Sequence, residues 1–457
     1  MSKVAIIGAG TWGIALANML CSCKHDVIVW SILEKEIDYI RTYRKHPNLK
    51  DTHILEDIKL TTNLKEAIEG NEVVVMAVPS VFVRSTSLKV AEYINSNQLI
   101  VDVAKGIEED TLLTMSEIIF EEINKVKEFP YENIVALSGP THAEEVSIGL
   151  PSTIVSACIK EENARIIQEI FTSPYMRVYT NNDIKGVEVS GALKNIIALA
   201  SGISHGLGFG DNATAALITR GINEVSRLGI AMGCPIQTFY GLSGIGDLIV
   251  TCTSMHSRNF QCGMYIGKGY NVDTAVKRVG MVVEGLNALN AAYNLSVKYN
   301  VELPIIKSVY DIVKYGIEPF QAVQQLYNRD KKSELPEVVM EKMKMSLLSD
   351  NSLEFKRIMV ISEFKNINVD TISFIKKAKQ HGDYLIAGLL NSNDNDYSLV
   401  QTKEALKSIK YIDHVMISYD IDHFIKDCQL YNIDTIIVSD KEKELINNID
   451  KIEIVVI

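Results

Sequence analysis

The feature that most constrains this chain is a glycine-rich turn close to its N-terminus. Val4 to Ile7 is a short apolar run of strand character, and Gly8-Ala9-Gly10-Thr11-Trp12-Gly13 follows it directly, opening a helical stretch from Thr11 to Leu20. In the spacing GxGxxG, the first glycine allows a tight turn, the second lets the backbone approach a pyrophosphate, and the third lets helix and strand pack closely. Phosphates would then sit on helix amides at the positive end of the dipole. A bare GxGxxG recurs by coincidence in glycine-containing loops, so the signal lies in its context, between a strand and a helix. That context predicts a dinucleotide site built on Gly8, Gly10, Thr11, Trp12 and Gly13. The end of the second strand, Val27 to Trp30, selects the ribose: an acidic residue there bonds a 2′-hydroxyl, an arginine a 2′-phosphate. This chain has Trp30-Ser31-Ile32-Leu33-Glu34, without arginine and with its acid a few residues late. The reading is NAD, with NADP left open.

The turn opens a longer pattern. Val73 to Val78, Leu99 to Val103, Ile134 to Leu137 and Thr153 to Ser156 continue the strands, alternating with helical stretches as far as Lys185. Such alternation indicates a doubly wound, mainly parallel Rossmann-type α/β sheet over 1–186. From there, Val187 to Ser201, Ala213 to Met232 and Asn287 to Tyr299 place apolar residues at helical spacing, and Leu303-Pro304 starts a further helix. A helical substrate domain over 187–335 follows, then a linker with a connecting helix over 336–352. A second α/β pattern fills 353–457: strands at Arg357 to Ile361, Tyr384 to Leu390, His414 to Ile417 and Thr435 to Val438, helices at Val369 to Lys379, Leu399 to Ile409 and Phe424 to Tyr431, and an Asn/Asp-rich loop at 391–396. With 457 residues, two or three domains are the natural division.

Composition excludes several function classes. The net charge of −11 argues against nucleic-acid binding, which needs a basic face. Seven cysteines without a CxxC pair, and nine scattered histidines without metal-ligand spacing, indicate reduced core thiols and no metal site. No apolar stretch reaches the roughly 18–20 residues that span a bilayer, and the N-terminus lacks a secretory pattern. A cytoplasmic location is expected.

Four segments set charged or hydroxyl groups in apolar or glycine-rich surroundings: Lys105 and Glu108 in VAKGIE, Thr141 and His142 in SGPTHA, Lys194 and Asn195 in GALKN, and Asp247 to Thr251. A lysine at a strand end is usually a solvated charge. Lys194, inside an apolar helical run, is too costly to bury without partners, and that cost favours a functional role.

The segments GAGTWGIALA, AVPS with Arg84, AKGIE, LSGPTHAEEV, RVYTNNDIKGVEVSGALKNIIA, GFGDNATAALITRG, GLSGIGDLIVTCTS, SRN and VVEG, in this order, resemble the NAD(P)-dependent glycerol-3-phosphate dehydrogenase family over about 1–335. The resemblance implies reversible hydride transfer between a nicotinamide cofactor and dihydroxyacetone phosphate or sn-glycerol 3-phosphate, serving glycerophospholipid synthesis, in a homodimer. Lys194 resembles the proton-transfer lysine, with Lys105 and Asp247 beside it. Substrate contacts would come from Lys105, Gly139, Thr141, Lys194, Asn195, Asp247, Thr251, Ser257, Arg258 and Asn259. Cofactor contacts would add Pro79, Lys105, Ala143, Arg258, Val282 and Glu284 to the glycine-turn set. Thr141, Thr214 and Met281 depart from the family's usual residues without removing a chemical role. In this scheme Arg258 anchors the phosphate with its planar fork. Lys194 polarises the C2 oxygen and passes it a proton, its pKa lowered by Lys105 and raised by Asp247. A different 2-hydroxy-acid or ketone reductase on the same scaffold is the alternative enzyme; the lysines, Asp247 and Arg258 together speak against it.

The segment 356–440 resembles small cytidylyltransferases of the glycerol-3-phosphate cytidylyltransferase type, through ISFIKKAKQHGDYLIAGL, YSLVQTKEALKSIKYIDHVMIS and KDCQLYNIDTIIVSD. Where those enzymes carry HxGH, this chain has Asn368-Val369-Asp370-Thr371, and the loop 391–396 is acidic rather than basic. The resemblance therefore implies a degenerate, non-catalytic domain. A regulatory ligand-sensing or assembly domain is the other reading of the same segment.

Overall fold

The computed structural model describes residues 1–329 and, beyond them, 356–362, 364, 366–390, 396–418, 424–425, 428, 431, 433–440, 443 and 452–457. The chain divides into two compact units, Met1–Arg329 and Asp330–Ile457.

In the first unit, strands β1 (Lys3–Ile7), β2 (Asp26–Trp30), β3 (Lys59–Thr61), β4 (Val73–Met76), β5 (Leu99–Asp102), β6 (Ile134–Ser138), β7 (Ser152–Ala157) and β8 (Met176–Asn181) form one sheet. Its order is β3-β2-β1-β4-β5-β6-β7-β8. Every pairing is parallel except β6 with β7. The central strands are buried on both faces, which is why VAII, VVVM and LIVD read as unbroken apolar runs. Two strands carry no such signal. β3 has three residues, and β8, at the sheet edge, alternates buried and exposed positions over Met176–Tyr179.

The strand order reverses at β1, so the crevice for a ligand opens beyond the C-terminal ends of β1 and β4. There the glycine turn is enforced by packing. Gly8 adopts φ +124°, and a Cβ on it would lie 2.5 Å from the Ala77 carbonyl oxygen. A Cβ on Gly13 would lie 2.2 Å from the Gly8 oxygen.

The helical part is organised around the Ile184–Gly206 helix, which is buried from Gly186 to Ser204 without a break. A helix covered on all sides belongs at the centre of its domain. Asp183 caps it, its Oδ1 accepting the Gly186 N–H at 2.9 Å. The Arg258–Gly267 helix crosses it at glycines. A Cβ on Gly202 would lie 2.0 Å from the Phe260 oxygen, and one on Gly263 2.0 Å from the Leu199 oxygen. Gly206 and Gly267 complete the contact, so the two backbones touch directly. The expected Asn287–Tyr299 helix spans Leu289–Lys298, and a separate short helix, Glu284–Asn287, precedes it. Pro304 opens the Pro304–Tyr315 helix as the sequence predicts. Its first free amides, on Ile305 and Ile306, donate to the buried Glu224 carboxylate.

The second unit holds β9 (Arg357–Ser362), β10 (Tyr384–Leu390), β11 (His414–Ser418), β12 (Thr435–Val438) and β13 (Glu453–Val456), all parallel, in the order β11-β10-β9-β12-β13. The helices Val369–Lys379 and Asp396–Lys407 belong to it. Met359, Ile361, Ile386 and Ile436 pack in one apolar cluster, and Ile358, Val360, Leu385 and Ile437 in another. β13 was not anticipated. The 336–352 linker and loop positions 391–395 lie outside the described residues. Of the expected Phe424–Tyr431 helix, Phe424, Ile425 and Cys428 are described as helical. Among the described residues, no helix is long and apolar enough to cross a membrane.

Candidate active site

At the end of β5, Asp102 Oδ1 accepts the Ala104 N–H at 3.1 Å and turns the chain outward. Arg84 holds the next stretch through a two-pronged bond to Glu108, at 2.7 and 2.6 Å. Between these anchors lies Lys105, whose Nζ donates to Asp247 Oδ2 at 2.7 Å and to the Gly139 carbonyl at 3.3 Å. Lys194 arrives from the middle of the buried helix. Its Nζ donates to Asp247 Oδ1 and to Thr251 Oγ1, both at 2.6 Å. Asp247 and Thr251 are one turn apart on the Asp247–Thr253 helix and so share a face. The Thr251 hydroxyl spends its proton on the Asp247 backbone carbonyl at 2.6 Å, which leaves its oxygen to accept from Lys194.

One carboxylate thus bridges two ammonium groups, with Lys194 5% and Asp247 1% exposed. With both lysines protonated the trio carries a net positive charge; with Lys194 neutral, Lys105 and Asp247 balance. Burial, and secondarily Lys105, push Lys194 down to about 8, against the pull of Asp247. The sequence reading gave Lys105 the lowering role; burial is the larger cause. Burial would raise the Asp247 carboxyl, but the two lysines outweigh it and hold it below the usual range.

The cleft around this trio is lined by Gly10, Thr11, Trp12, Pro79, Lys105, Thr141, Ala143, Lys194, Asn195, Asp247, Thr251, Ser257, Arg258, Asn259, Val282 and Glu284. Gly8, Gly13 and Gly139 are absent from the lining: the first two pack the turn and the third offers its carbonyl to Lys105. Asn195 and Asn259 are bonded to each other at 3.0 Å, and Asn259 Oδ1 also accepts the Gly285 N–H at 2.8 Å. Ser257 caps the Arg258–Gly267 helix, accepting the Phe260 N–H. Arg258, the first residue of that helix, is exposed to the cleft.

Sequence reasoning assigned no role to His142, Glu144 or His256, which also line the cleft. Burial and the nearby Lys194 hold the His142 imidazole below its usual range, which favours its neutral form. His142 stands inside the SGPTHA segment, the one signal that could have marked it.

The residues fit a dinucleotide. Gly10 is the N-cap of the Thr11–Ser22 helix and provides no side-chain bond to its first amides. Those amides remain for an anion, and nothing lies within 4 Å of where a Gly10 Cβ would be.

Known proteins resemble this chain over the same stretch. Residues 3–164 match the family model for the NAD-dependent glycerol-3-phosphate dehydrogenase N-terminus, and residues 183–324 match that for its C-terminus. A glycerol-3-phosphate dehydrogenase [NAD(P)+] of Lactobacillus delbrueckii is 52% identical over 335 residues, 73% of this chain and 99% of the relative. The Fusobacterium nucleatum enzyme of the same name is 48% identical over 336 residues, 73% and 99% of the two chains. The crystal structure of glycerol-3-phosphate dehydrogenase from Coxiella burnetii superposes with a TM-score of 0.68 at 33% identity, covering 72% of this chain and 99% of that one. The chain belongs to the NAD-dependent glycerol-3-phosphate dehydrogenase family.

Proposed function

We propose that the chain interconverts dihydroxyacetone phosphate and sn-glycerol 3-phosphate, with a dinucleotide part over 1–186 and a substrate part over 187–335, and that it supplies glycerol 3-phosphate to glycerophospholipid synthesis. The observation that carries this reading is the Asp247 carboxylate bridging Lys105 and Lys194 in a cleft that also holds the open helix terminus at Gly10 and the Arg258 guanidinium. The nicotinamide, when bound, supplies or takes the hydride. Lys194 has three N–H donors, and two are committed to Asp247 and Thr251. The third points the reaction: it hydrogen-bonds the C2 oxygen of the ketone and delivers its proton as the alcohol forms. In oxidation, neutral Lys194 takes that proton back. Lys105 keeps positive charge beside the developing alkoxide, and Arg258 grips the phosphate.

Oxidation of NADH and NADPH by dihydroxyacetone phosphate tests the reading. Turnover is expected with both, and NADH is expected to serve at least as well as NADPH, because Ser31 and Ile32 bring no arginine to the ribose. No turnover with either cofactor, or a clear NADPH preference, would count against the respective claim.

We also infer that the enzyme is a cytoplasmic homodimer. Ile230, Ile236 and Tyr240 are apolar and exposed, as a covered subunit surface would require. Light scattering at a monomer mass would remove this inference.

Residues 353–457 are read as a degenerate cytidylyltransferase-like domain without catalysis of its own. Asn368 supports this: its Oδ1 accepts the Thr371 N–H at 2.9 Å, so the helix terminus carries its own cap, and Asp370 adds negative charge in the first turn. Incubation with CTP, Mg²⁺ and glycerol 3-phosphate should yield no CDP-glycerol, and its appearance would overturn this reading.

A further inference from the structure

Ser80 follows Pro79 on the sheet side of the cleft, and Glu284 opens a short helix on the opposite wall, 204 positions later in the chain. The Ser80 N–H donates to Glu284 Oε1 at 3.1 Å, and the Ser80 hydroxyl donates to Oε2 at 2.5 Å. Asn287 Nδ2 also donates to Oε2, at 3.1 Å. Oε2 is thus saturated, whereas Oε1 keeps one lone pair, and Glu284 lines the cleft.

Both ends of this link continue toward the reacting groups. A Cβ on Gly106, the residue after Lys105, would lie 2.4 Å from that of Ser80. On the other wall, the Gly285 N–H is bonded to Asn259, and Asn259 to Asn195, the residue after Lys194. A Cβ on Gly285 would lie 2.6 Å from the Asn195 oxygen. Ser80 therefore touches the segment that carries one lysine and, through Glu284, the segment that carries the other.

We propose that Ser80 is a positioning residue for the cofactor: it ties the Pro79 segment to the Glu284 helix beside the cleft and leaves one lone pair of Glu284 Oε1 for a hydroxyl or amide donor of the dinucleotide. The inference rests on the dehydrogenase reading above. A carboxylate without this double grip would rotate on its side chain, and the cofactor would have to order it on binding.

The test uses the full chain with Ser80→Ala, Glu284→Ala and the double variant. The dissociation constant of NADH is read from quenching of tryptophan fluorescence, for which Trp12 in the cleft is a reporter. Steady-state constants are measured alongside. Ser80→Ala should weaken NADH binding about tenfold, the loss expected for a hydrogen bond to a charged group. The change should fall on KM for NADH rather than on kcat or on KM for dihydroxyacetone phosphate. The double variant should bind NADH no worse than Glu284→Ala alone, because Ser80 acts through Glu284. Wild-type NADH affinity in Ser80→Ala, additive losses in the double variant, or a uniform fall in all constants with a lowered Tm would each overturn the proposal. A wild-type protein that binds NADH without reducing dihydroxyacetone phosphate would instead refute the dehydrogenase reading, and the fluorescence result for Ser80 would stand.

Discussion

Lys194→Ala should reduce turnover by about 10²–10⁴-fold, the range for removing a positioned proton donor. The variant is expected to fold, because it leaves Lys105 and Asp247 as a balanced pair at 2.7 Å. Deleting the buried ammonium also removes a charge that burial disfavours. Loss of rate should therefore come without a matching loss of Tm. A pH profile makes the assignment sharper. The reduction needs protonated Lys194, so its kcat should be full below about 8, the value to which burial brings this lysine, and fall above it. The oxidation needs the neutral form and should rise through the same point. Both limbs should vanish in Lys194→Ala. Near-normal turnover in the variant, or wild-type profiles flat across this region in both directions, would sink the role given to Lys194.

Arg258→Ala should lower kcat/KM by roughly 10²–10⁴-fold, since it removes two charge-assisted hydrogen bonds at about 1.5–3 kcal/mol each. The residue is the first of its helix, and its neighbour Ser257 supplies the cap, so the helix holds its own start while the exposed Arg258 lines the cleft. Arg258→Lys keeps the charge but loses the fork, and should recover only part of the loss. Inhibition by inorganic phosphate should weaken in parallel. An unchanged KM for dihydroxyacetone phosphate in Arg258→Ala would show that the phosphate is held elsewhere.

Much of this was legible in the sequence because backbone constraints leave residue-level marks. Gly8 is required by its positive φ and by the 2.5 Å that a Cβ would leave to the Ala77 oxygen, and Gly13 by the 2.2 Å that one would leave to the Gly8 oxygen. Lys194 was conspicuous because a charge stands among Leu193, Ile196 and Ile197, all fully buried. What stayed hidden depends on distance rather than pattern. β3 and β8 are short or edge-exposed and lack an apolar run. The bond between Ser80 and Glu284 joins residues that no local spacing relates. The sequence shows no repeat between the first domain and 353–457. Yet β3-β2-β1-β4-β5 and β11-β10-β9-β12-β13 follow the same parallel order. Right-handed crossovers admit few arrangements, so topology can coincide where side chains do not.

The glycine crossing of the two central helices also bears on the length of substrate that the proposed site would accept. Lys194 and Arg258 ride on helices whose backbones touch at Gly202 and Gly263, and the Asn195–Asn259 bond pins the same pair closer to the reacting groups. The spacing of the main chain that carries Lys194 and Arg258 is therefore fixed, and only the rotamers of these two long side chains alter their reach. A misplacement of about 1 Å at a reacting centre costs on the order of 10²-fold. On the roles proposed for these two residues, a phosphorylated ketone with one carbon more or fewer between carbonyl and phosphate should be turned over more slowly, as kcat/KM for such analogues would show. Broadening the enzyme toward such compounds would then start from the reach of Lys194 and Arg258, because touching backbones set the spacing of their helices.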